Sequence, residues 1–250
     1  MKIKTIITIT IFIFIALLPI IGLSQTDYFN TAPSISVKNI DLIWFVDTYT
    51  PYGYQGRALP SEGSQVTVEA LVETSGGKAS SLKYSWFLDD IFQKDKSGYG
   101  KTTYYFYVNQ KPGNLHRVKL QVFNEDRSVF REKTIEIPIV EPEIVIYPSN
   151  GNAHFSDQAS QVSTVLAGKE FSFIAKPYFF SIERLTDLTF QWRFAGRQPI
   201  ISSEYDANVL DMTISGKEDK GTLEKNLWVD VVNKTESRQK ANQSIKIRVY

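Results

Sequence analysis

Three carboxylates, those of Asp89, Asp90 and Asp95, lie close together in the sequence and have the chemistry to bind a calcium ion. Calcium loops place their oxygen ligands at alternate positions, and this segment does not. Lys94 and Lys96 also stand among the aspartates, where their positive charge opposes a cation. The segment is therefore typical of a solvated hairpin turn, and we expect no metal site here.

The other candidate for metal or proton chemistry is His154 with Asp157, in a loop from 148 to 168 that is rich in Gly, Asn and Ser. One His beside one Asp has no third ligand and no motif-placed nucleophile, so a surface pair is favoured. The sequence shows no motif of paired carboxylates and no nucleophile with its base. We therefore expect no catalytic residues, no cofactor and no enzymatic activity.

The most unusual segment is an aromatic loop over residues 47–64, with a candidate binding site formed by Tyr49, Tyr52, Tyr54 and Arg57. Exposed tyrosine rings can stack on sugars or anchor a protein partner. The alternative is that these rings cover an open sheet edge or a seam between two domains, and this second interpretation is favoured. Both remain open from the sequence.

Composition excludes several classes of partner. The chain has 250 residues, with 28 Lys and Arg against 27 Asp and Glu, two His and no Cys. The near-neutral balance gives no long-range field for nucleic acid, and the absence of Cys rules out thiolate metal sites and disulfides. With 13 Tyr and 16 Phe, the chain has the aromatic content of a folded protein.

The first 25 residues read as a targeting segment. Lys2 and Lys4 precede an uncharged run from residue 5 to residue 23, a pattern that sends the following chain across a membrane. Gly22 and Ser24 suit a signal peptidase, so residues 1–25 are interpreted as a cleaved signal peptide. The run is also long enough to span a bilayer, so an uncleaved anchor is the alternative. Residues 26–34 would then form a tether.

Beyond the tether, hydrophobic residues alternate with polar ones almost everywhere, as in half-buried antiparallel strands. The pattern predicts an all-β fold. The inward positions would include Val66, Val68 and Ala70; Tyr84 and Trp86; Val118, Leu120 and Val122; and Ile135, Ile137 and Ile139.

The same order of strands recurs in the second half. Trp86 lies 38 residues before Asn124, and Trp192 lies 41 residues before Asn233. The repeat predicts two tandem β-sandwiches, over residues 35–140 and 143–250, with a single larger sandwich as the alternative. The two residues between them, Glu141 and Pro142, leave little slack.

Two segments of the first copy, residues 84–90 with their aromatic-x-Trp pattern and residues 118–124 ending in Asn, resemble the best-marked strands of PKD-type immunoglobulin-like domains. Residues 190–192 and 229–233 of the second copy are similar, and neither copy has the family's Asp-Gly turn. The resemblance implies an immunoglobulin-like fold and an extracellular spacer, adhesion or binding role. The arrangement of the two copies also looks like that of bacterial envelope proteins.

We expect Trp86 and Trp192 to fill the two cores. The function that follows is that of an exported or membrane-tethered, non-catalytic spacer or protein-interaction module of the cell envelope. Its partners would be envelope or surface proteins, glycans, and the membrane itself if the leader is uncleaved. The alternative is a carbohydrate-binding adhesin that uses the loop 47–64.

Overall fold

The structure is a computed structural model, and it describes residues 35–149, 159, 161–196, 200, 206–214 and 223–250. The predicted signal or anchor segment 1–25, the predicted tether 26–34, and the pair His154 and Asp157 lie outside the described residues. In the described ranges the helices are single turns, at Ala79–Ser81, Lys94–Lys96 and Leu185–Asp187. None of the helices described is long and apolar enough to cross a membrane. The predicted all-β class is confirmed.

The first eight strands build what we call the N-terminal sandwich. Its strands are β1 Ser36–Val46, β2 Gln65–Ser75, β3 Lys83–Leu88, β4 Ile91–Phe92, β5 Gly98–Tyr99, β6 Thr103–Tyr107, β7 Leu115–Phe123 and β8 Phe130–Pro138. One sheet has the order β1-β2-β6 and the other β4-β3-β7-β8, with β5 also paired to β3. All of these pairs are antiparallel. This strand order is that of an immunoglobulin-like sandwich.

The remaining strands build the C-terminal sandwich. They are β9 Glu143–Ser149, β10 Val162–Val165, β11 Glu170–Tyr178, β12 Leu188–Phe194, β13 Val209–Thr213, β14 Leu223–Asn233 and β15 Lys240–Val249. The sheet orders are β13-β11-β9 and β10-β15-β14-β12. Strand β10 pairs in parallel with β15, whereas the other pairs between strands are antiparallel.

Each sandwich has its own cluster of buried apolar side chains, supplied by the alternate residues of facing strands. On β2, for example, Val66, Val68 and Ala70 point inward and are almost completely buried. Because successive side chains of a strand point to opposite faces, a single pairing register places all the hydrophobic side chains of the strand in the core. The alternation in the sequence is thus sufficient to place both cores.

The two tryptophans lie at matching positions of these cores. Trp86 and Trp192 are fully buried. The indole N–H of Trp86 donates to the carbonyl oxygen of Lys101 at 2.8 Å, and that of Trp192 donates to the carbonyl oxygen of Ala207 at 3.0 Å. In both cases the acceptor follows the tryptophan by the same number of residues. A buried indole needs such an acceptor, and the repeated bond fixes each ring in its sandwich.

The turns that follow the tryptophan strands also match in backbone geometry. Asp89 and Asp90 have φ values of 49° and 64°, and Ala195 and Gly196 have φ values of 54° and 70°. Two successive left-handed residues form the tight turn that suits the twist of a β-hairpin. The segment Asp89–Asp90 is therefore the hairpin turn between β3 and β4, as predicted.

Candidate functional site

The aspartates of the first hairpin do not converge on a common point. The carboxylate of Asp89 accepts hydrogen bonds from the backbone N–H of Arg117 at 2.8 Å and from Nδ1 of His116 at 2.7 Å. Burial alone would raise the pKa of Asp89, but these hydrogen bonds hold it below its usual value. Asp90 instead accepts from Lys119 at 3.2 Å. In the part of the chain that the structure describes, no group of three or more His, Asp or Glu is arranged to hold a metal ion.

Arg57 holds the aromatic loop to the first strand. Its guanidinium lies 3.4 Å above the centre of the Trp44 ring and donates a hydrogen bond to the Trp44 carbonyl oxygen. Burial lowers the pKa of Arg57, while the stacked ring and the carbonyl compensate for the lost water. The predicted binding residue Arg57 therefore makes its contacts within the N-terminal sandwich.

Tyr49 joins the loop to the C-terminal sandwich through its backbone. Its N–H donates to the carbonyl oxygen of Phe180 at 2.7 Å, and its carbonyl oxygen accepts from the N–H of Phe179 at 2.8 Å. One residue of the loop thus opposes two residues of the other segment, as in a β-bulge, and Phe179 has a left-handed φ of 64° at this position. Burial also raises the pKa of the Tyr49 hydroxyl. The residue thus lies in the seam, by which we mean the contact of loop 47–64 with residues 178–181 and 233–239.

Tyr54 packs into the same seam, and Tyr52 does not. The ring of Tyr54 meets the rings of Tyr178 and Phe179 edge to face, with centroids 5.5 and 6.0 Å apart. Tyr52 is fully exposed. It borders a small pocket of about 220 Å³, whose wall includes Pro51 and residues of β11.

The buried side-chain amide of Gln239 connects the parts of the seam. Its Nε2 donates to Ser61 Oγ and to the carbonyl oxygen of Glu62, both at 3.0 Å. Its Oε1 accepts from the N–H of Ser181 at 2.8 Å and from Nδ2 of Asn233 at 2.9 Å. Both amide hydrogens and both oxygen lone pairs are therefore used, so this buried polar group carries no unpaired atom.

Charged side chains lie next to Gln239, on the side of the seam that faces solvent. Arg238 donates to Glu62 at 3.0 Å and to Glu236 at 2.7 Å. The bond from Arg238 holds the pKa of Glu236 below its usual value. Each such solvated ion pair adds at most about 1 kcal/mol to the free energy of unfolding, so these pairs orient the seam more than they stabilise it.

Next to the seam, an open groove of about 890 Å³ runs along the short connection at residues 141–143. Two of the carboxylates that line it are already engaged, since Glu62 binds Arg238 and Asp230 binds Arg193. The walls of the groove come from the start of β9, from β14, from β15 and from the turn between these last two strands, with both polar and apolar residues. The carboxylates of Glu141 and Glu143 line the same groove.

Sequence reasoning missed the residues that form the polar centre of the seam. Gln239, Ser61 and Ser181 are single polar residues in turns, where such residues are common. His116 was missed as well, because it occupies an inward position of β7 and its partner Asp89 is 27 residues away in the sequence. These residues can be recognised only from their hydrogen bonds to residues that are distant in the sequence.

No family model matches the sequence, and no curated protein matches it. Among solved structures, the three N-terminal domains of the outer capsid protein Hoc of bacteriophage RB49 share 16% identity over 86% of this chain and 59% of that one, with a TM-score of 0.46. A fragment of intimin in complex with the intimin-binding domain of its receptor shares 12% identity over 84% and 63%, with a TM-score of 0.27. A Bacteroides ovatus glucan-utilization protein in complex with a heptasaccharide shares 12% identity over 82% and 47%, with a TM-score of 0.24. The chain spans less than two thirds of each, and likenesses at this level say nothing of what it binds.

Proposed function

We propose that this chain is an exported, non-catalytic protein of the cell envelope that acts as a structural spacer or protein-interaction module. In this proposal residues 35–140 and 143–250 are its two PKD-type domains, and residues 1–25 direct its export or anchor it. The observation that carries the proposal is the seam, in which the side chain of Gln239 makes four hydrogen bonds.

A spacer must hold its modules at a fixed angle, and a flexible linker does not do so. Here three separate segments reach across the joint. They are the linker at residues 141–142, the loop 47–64, and the turn that contains Gln239. Three points of attachment restrict both bending and twisting, whereas the linker alone would restrict only the distance.

The joint is tested with Gln239→Ala in the full chain, and Gln191→Ala serves as the matched control because Gln191 is exposed on β12, away from the seam. Small-angle scattering should give the control the same distribution of interatomic distances as the unchanged chain. Gln239→Ala should broaden that distribution toward longer distances. An unchanged distribution for Gln239→Ala would refute the fixed joint.

Export is tested separately on intact cells. A membrane-impermeant amine reagent should label the lysines of the chain, such as the exposed Lys38, without lysis. Labelling only after lysis would contradict the envelope location.

A carbohydrate-binding role for the loop 47–64 is the second candidate, and the exposure of Tyr52 beside the small pocket favours it. An exposed aromatic ring next to polar groups can stack on a sugar. A pull-down with insoluble polysaccharides and peptidoglycan should retain the chain, and Tyr52→Ala should abolish retention. Tyr99→Ala is the control, because Tyr99 is also exposed but lies away from the loop. Equal retention of both variants would exclude Tyr52 as a binding residue.

A further inference from the structure

The edge strands of the two sandwiches differ in how they are protected from pairing with another chain. Edge strands are usually guarded by charge, proline, a bulge or short length. Strand β8 carries both charges and Pro138, and β1 has a bulge between Val37 and Asn39. Strand β9 contains Pro148, and β4 has only two residues.

Strand β6 has none of these protections. Its sequence from Thr103 to Tyr107 is uncharged, contains four aromatic residues, and pairs in regular register with β2. Within the described ranges no strand pairs with its other side. An uncharged, regular and aromatic edge is the type that accepts a further strand.

The hydrogen bonds at the two ends of β6 show which of its backbone N–H and C=O groups point toward β2 and which point away from it. The N–H of Val108 donates to the carbonyl oxygen of Ser64, and the carbonyl oxygen of Thr102 accepts from the N–H of Ala70. In an antiparallel ladder every second residue shares this orientation, so Tyr104 and Phe106 also bond toward β2. The N–H and C=O groups of the odd-numbered residues, Thr103, Tyr105 and Tyr107, therefore point away from the sheet toward the open edge.

The side chains of the same residues form an exposed surface beside that edge. Tyr105 is 45% exposed and Tyr107 is 62% exposed. The ammonium of Lys96 lies 3.5 Å above the centre of the Tyr105 ring. Lys96 makes no ion pair with any of the residues that the structure describes. The surface thus combines the rings of Tyr105 and Tyr107 with the ammonium of Lys96, which has no carboxylate partner among the described residues.

We propose that β6 is a docking edge for an extended segment of a partner protein, with apolar residues at alternate positions and an acidic residue placed to reach Lys96. The segment would extend the sheet to the order β1-β2-β6-partner. Main-chain hydrogen bonds to Thr103, Tyr105 and Tyr107 would supply affinity, and the rings and the ammonium would select the side chains. The proposal rests on the interaction role proposed above and names the chemistry of the partner. A second copy of this chain is a weaker occupant, since a five-residue edge alone offers little of the area that a stable dimer needs.

The test uses the full chain and a short capped peptide in which valine alternates with threonine and glutamate takes the central valine position. In the free protein the amides of Thr103, Tyr105 and Tyr107 should exchange with solvent faster than those of Tyr104 and Phe106, as measured by NMR. Addition of the peptide should slow the exchange of the three odd-numbered amides by about tenfold or more. A peptide that is N-methylated at alternate residues should give no such slowing, and replacement of its glutamate by lysine should weaken binding.

Two variants test the same edge from the protein side. Tyr105→Pro removes an N–H that β2 does not use, and proline is tolerated on edge strands. Tyr105→Thr keeps the N–H and removes the same ring. Tyr105→Pro should bind the peptide about tenfold more weakly than Tyr105→Thr, which is the effect of one lost hydrogen bond. The N-methylated peptide gives the same information if Tyr105→Pro does not fold.

Three results would overturn the proposal. Slow exchange of the odd-numbered amides in the free monomer would show that another part of the chain covers the edge. Protection that depends on protein concentration, with a dimer in sedimentation, would assign the edge to self-association. Equal binding of the unmodified and N-methylated peptides would exclude strand addition. None of these results bears on the seam, so the spacer proposal would stand or fall on the scattering experiment alone.

Discussion

The two sandwiches share one frame but use their matching turns differently. After the tryptophan strand, the N–H of Asp89 donates to the carbonyl oxygen of Arg117, and the N–H of Ala195 donates to that of Asn226. Only the first turn has a carboxylate, which binds back to β7 through His116. The C-terminal turn has a methyl group in that place. The backbone geometry therefore sets the turn in both copies. The side-chain hydrogen bonds of Asp89 to His116 and to the N–H of Arg117, which we call the polar lock, belong to the first copy alone.

The lock brings an imidazole ring into the N-terminal core. His116 is fully buried, and its Nε2 is one of two buried side-chain atoms in the described residues without a hydrogen-bond partner, the other being the Tyr104 hydroxyl. Burial, followed by the nearby charge of Asp89, raises the pKa of Tyr104. The buried polar side chains among the described residues of the C-terminal sandwich are those of Ser149, Asn233 and Gln239, and none of them is acidic or basic. We therefore expect pH to affect the stability of the first sandwich more than that of the second.

Removal of either core tryptophan should have the largest effect and should show how far the two sandwiches are independent. Trp86→Ala and Trp192→Ala should each lower the free energy of unfolding by about 3–5 kcal/mol, because each leaves a cavity in a closed core. Trp228→Ala, at a half-exposed position, should cost about 1 kcal/mol or less. Calorimetry measures the three. If the seam couples the sandwiches, both should unfold in one thermal transition, and each core variant should shift that transition as a whole. If the seam does not couple them, each variant should shift only the unfolding of the sandwich that carries it.

The tryptophans also show how much the sequence could predict. Strand alternation requires only local information, so Trp86, Trp192 and the strands around them could be placed from periodicity. The seam could not, because Ser61 and Gln239 are 178 residues apart and each is an ordinary turn residue by itself. Tyr54 is an intermediate case. The sequence marks its loop as unusual, but only the structure shows that Tyr54 contacts the rings at residues 178 and 179 while 38% of it stays exposed.

The coupling across the seam should be measurable as an energy. Ser61→Ala and Gln239→Ala each leave buried polar groups unpaired, and each should cost about 1–3 kcal/mol. Because both remove the same hydrogen bond, the double variant should cost less than the sum, with a coupling energy of about 0.5–3 kcal/mol. Denaturant unfolding of the four proteins in the cycle measures it. Strict additivity would mean that the bond between Ser61 and Gln239 contributes nothing to the joint.

Asp89→Ala would make the first turn resemble the second and should reveal the lock. It should cost about 1–3 kcal/mol near neutral pH, because the N–H of Arg117 and the ring of His116 lose their acceptor. The pKa of Asp89 is lowered in the folded state, so its contribution is present above the ordinary carboxyl pKa and is lost as pH falls below it. The difference between variant and unchanged chain should therefore shrink in acid. Asp95→Ala removes an exposed carboxylate from the same region, and it should give a smaller difference.

The second residue of each turn provides the smallest and most direct comparison. Asp90 and Gly196 have nearly the same left-handed φ, but only glycine adopts that conformation without strain. Asp90→Gly should therefore stabilise the N-terminal sandwich, by about 0.5–1 kcal/mol less the small contribution of the exposed pair with Lys119. Gly196→Asp should destabilise the C-terminal sandwich by a similar amount, since an added Cβ meets no other atom there and φ alone is responsible. Opposite shifts in melting temperature would confirm that the turns are equivalent in backbone and differ only in side chain. Shifts of the same sign would show that the carboxylate of Asp90 matters more than its backbone conformation.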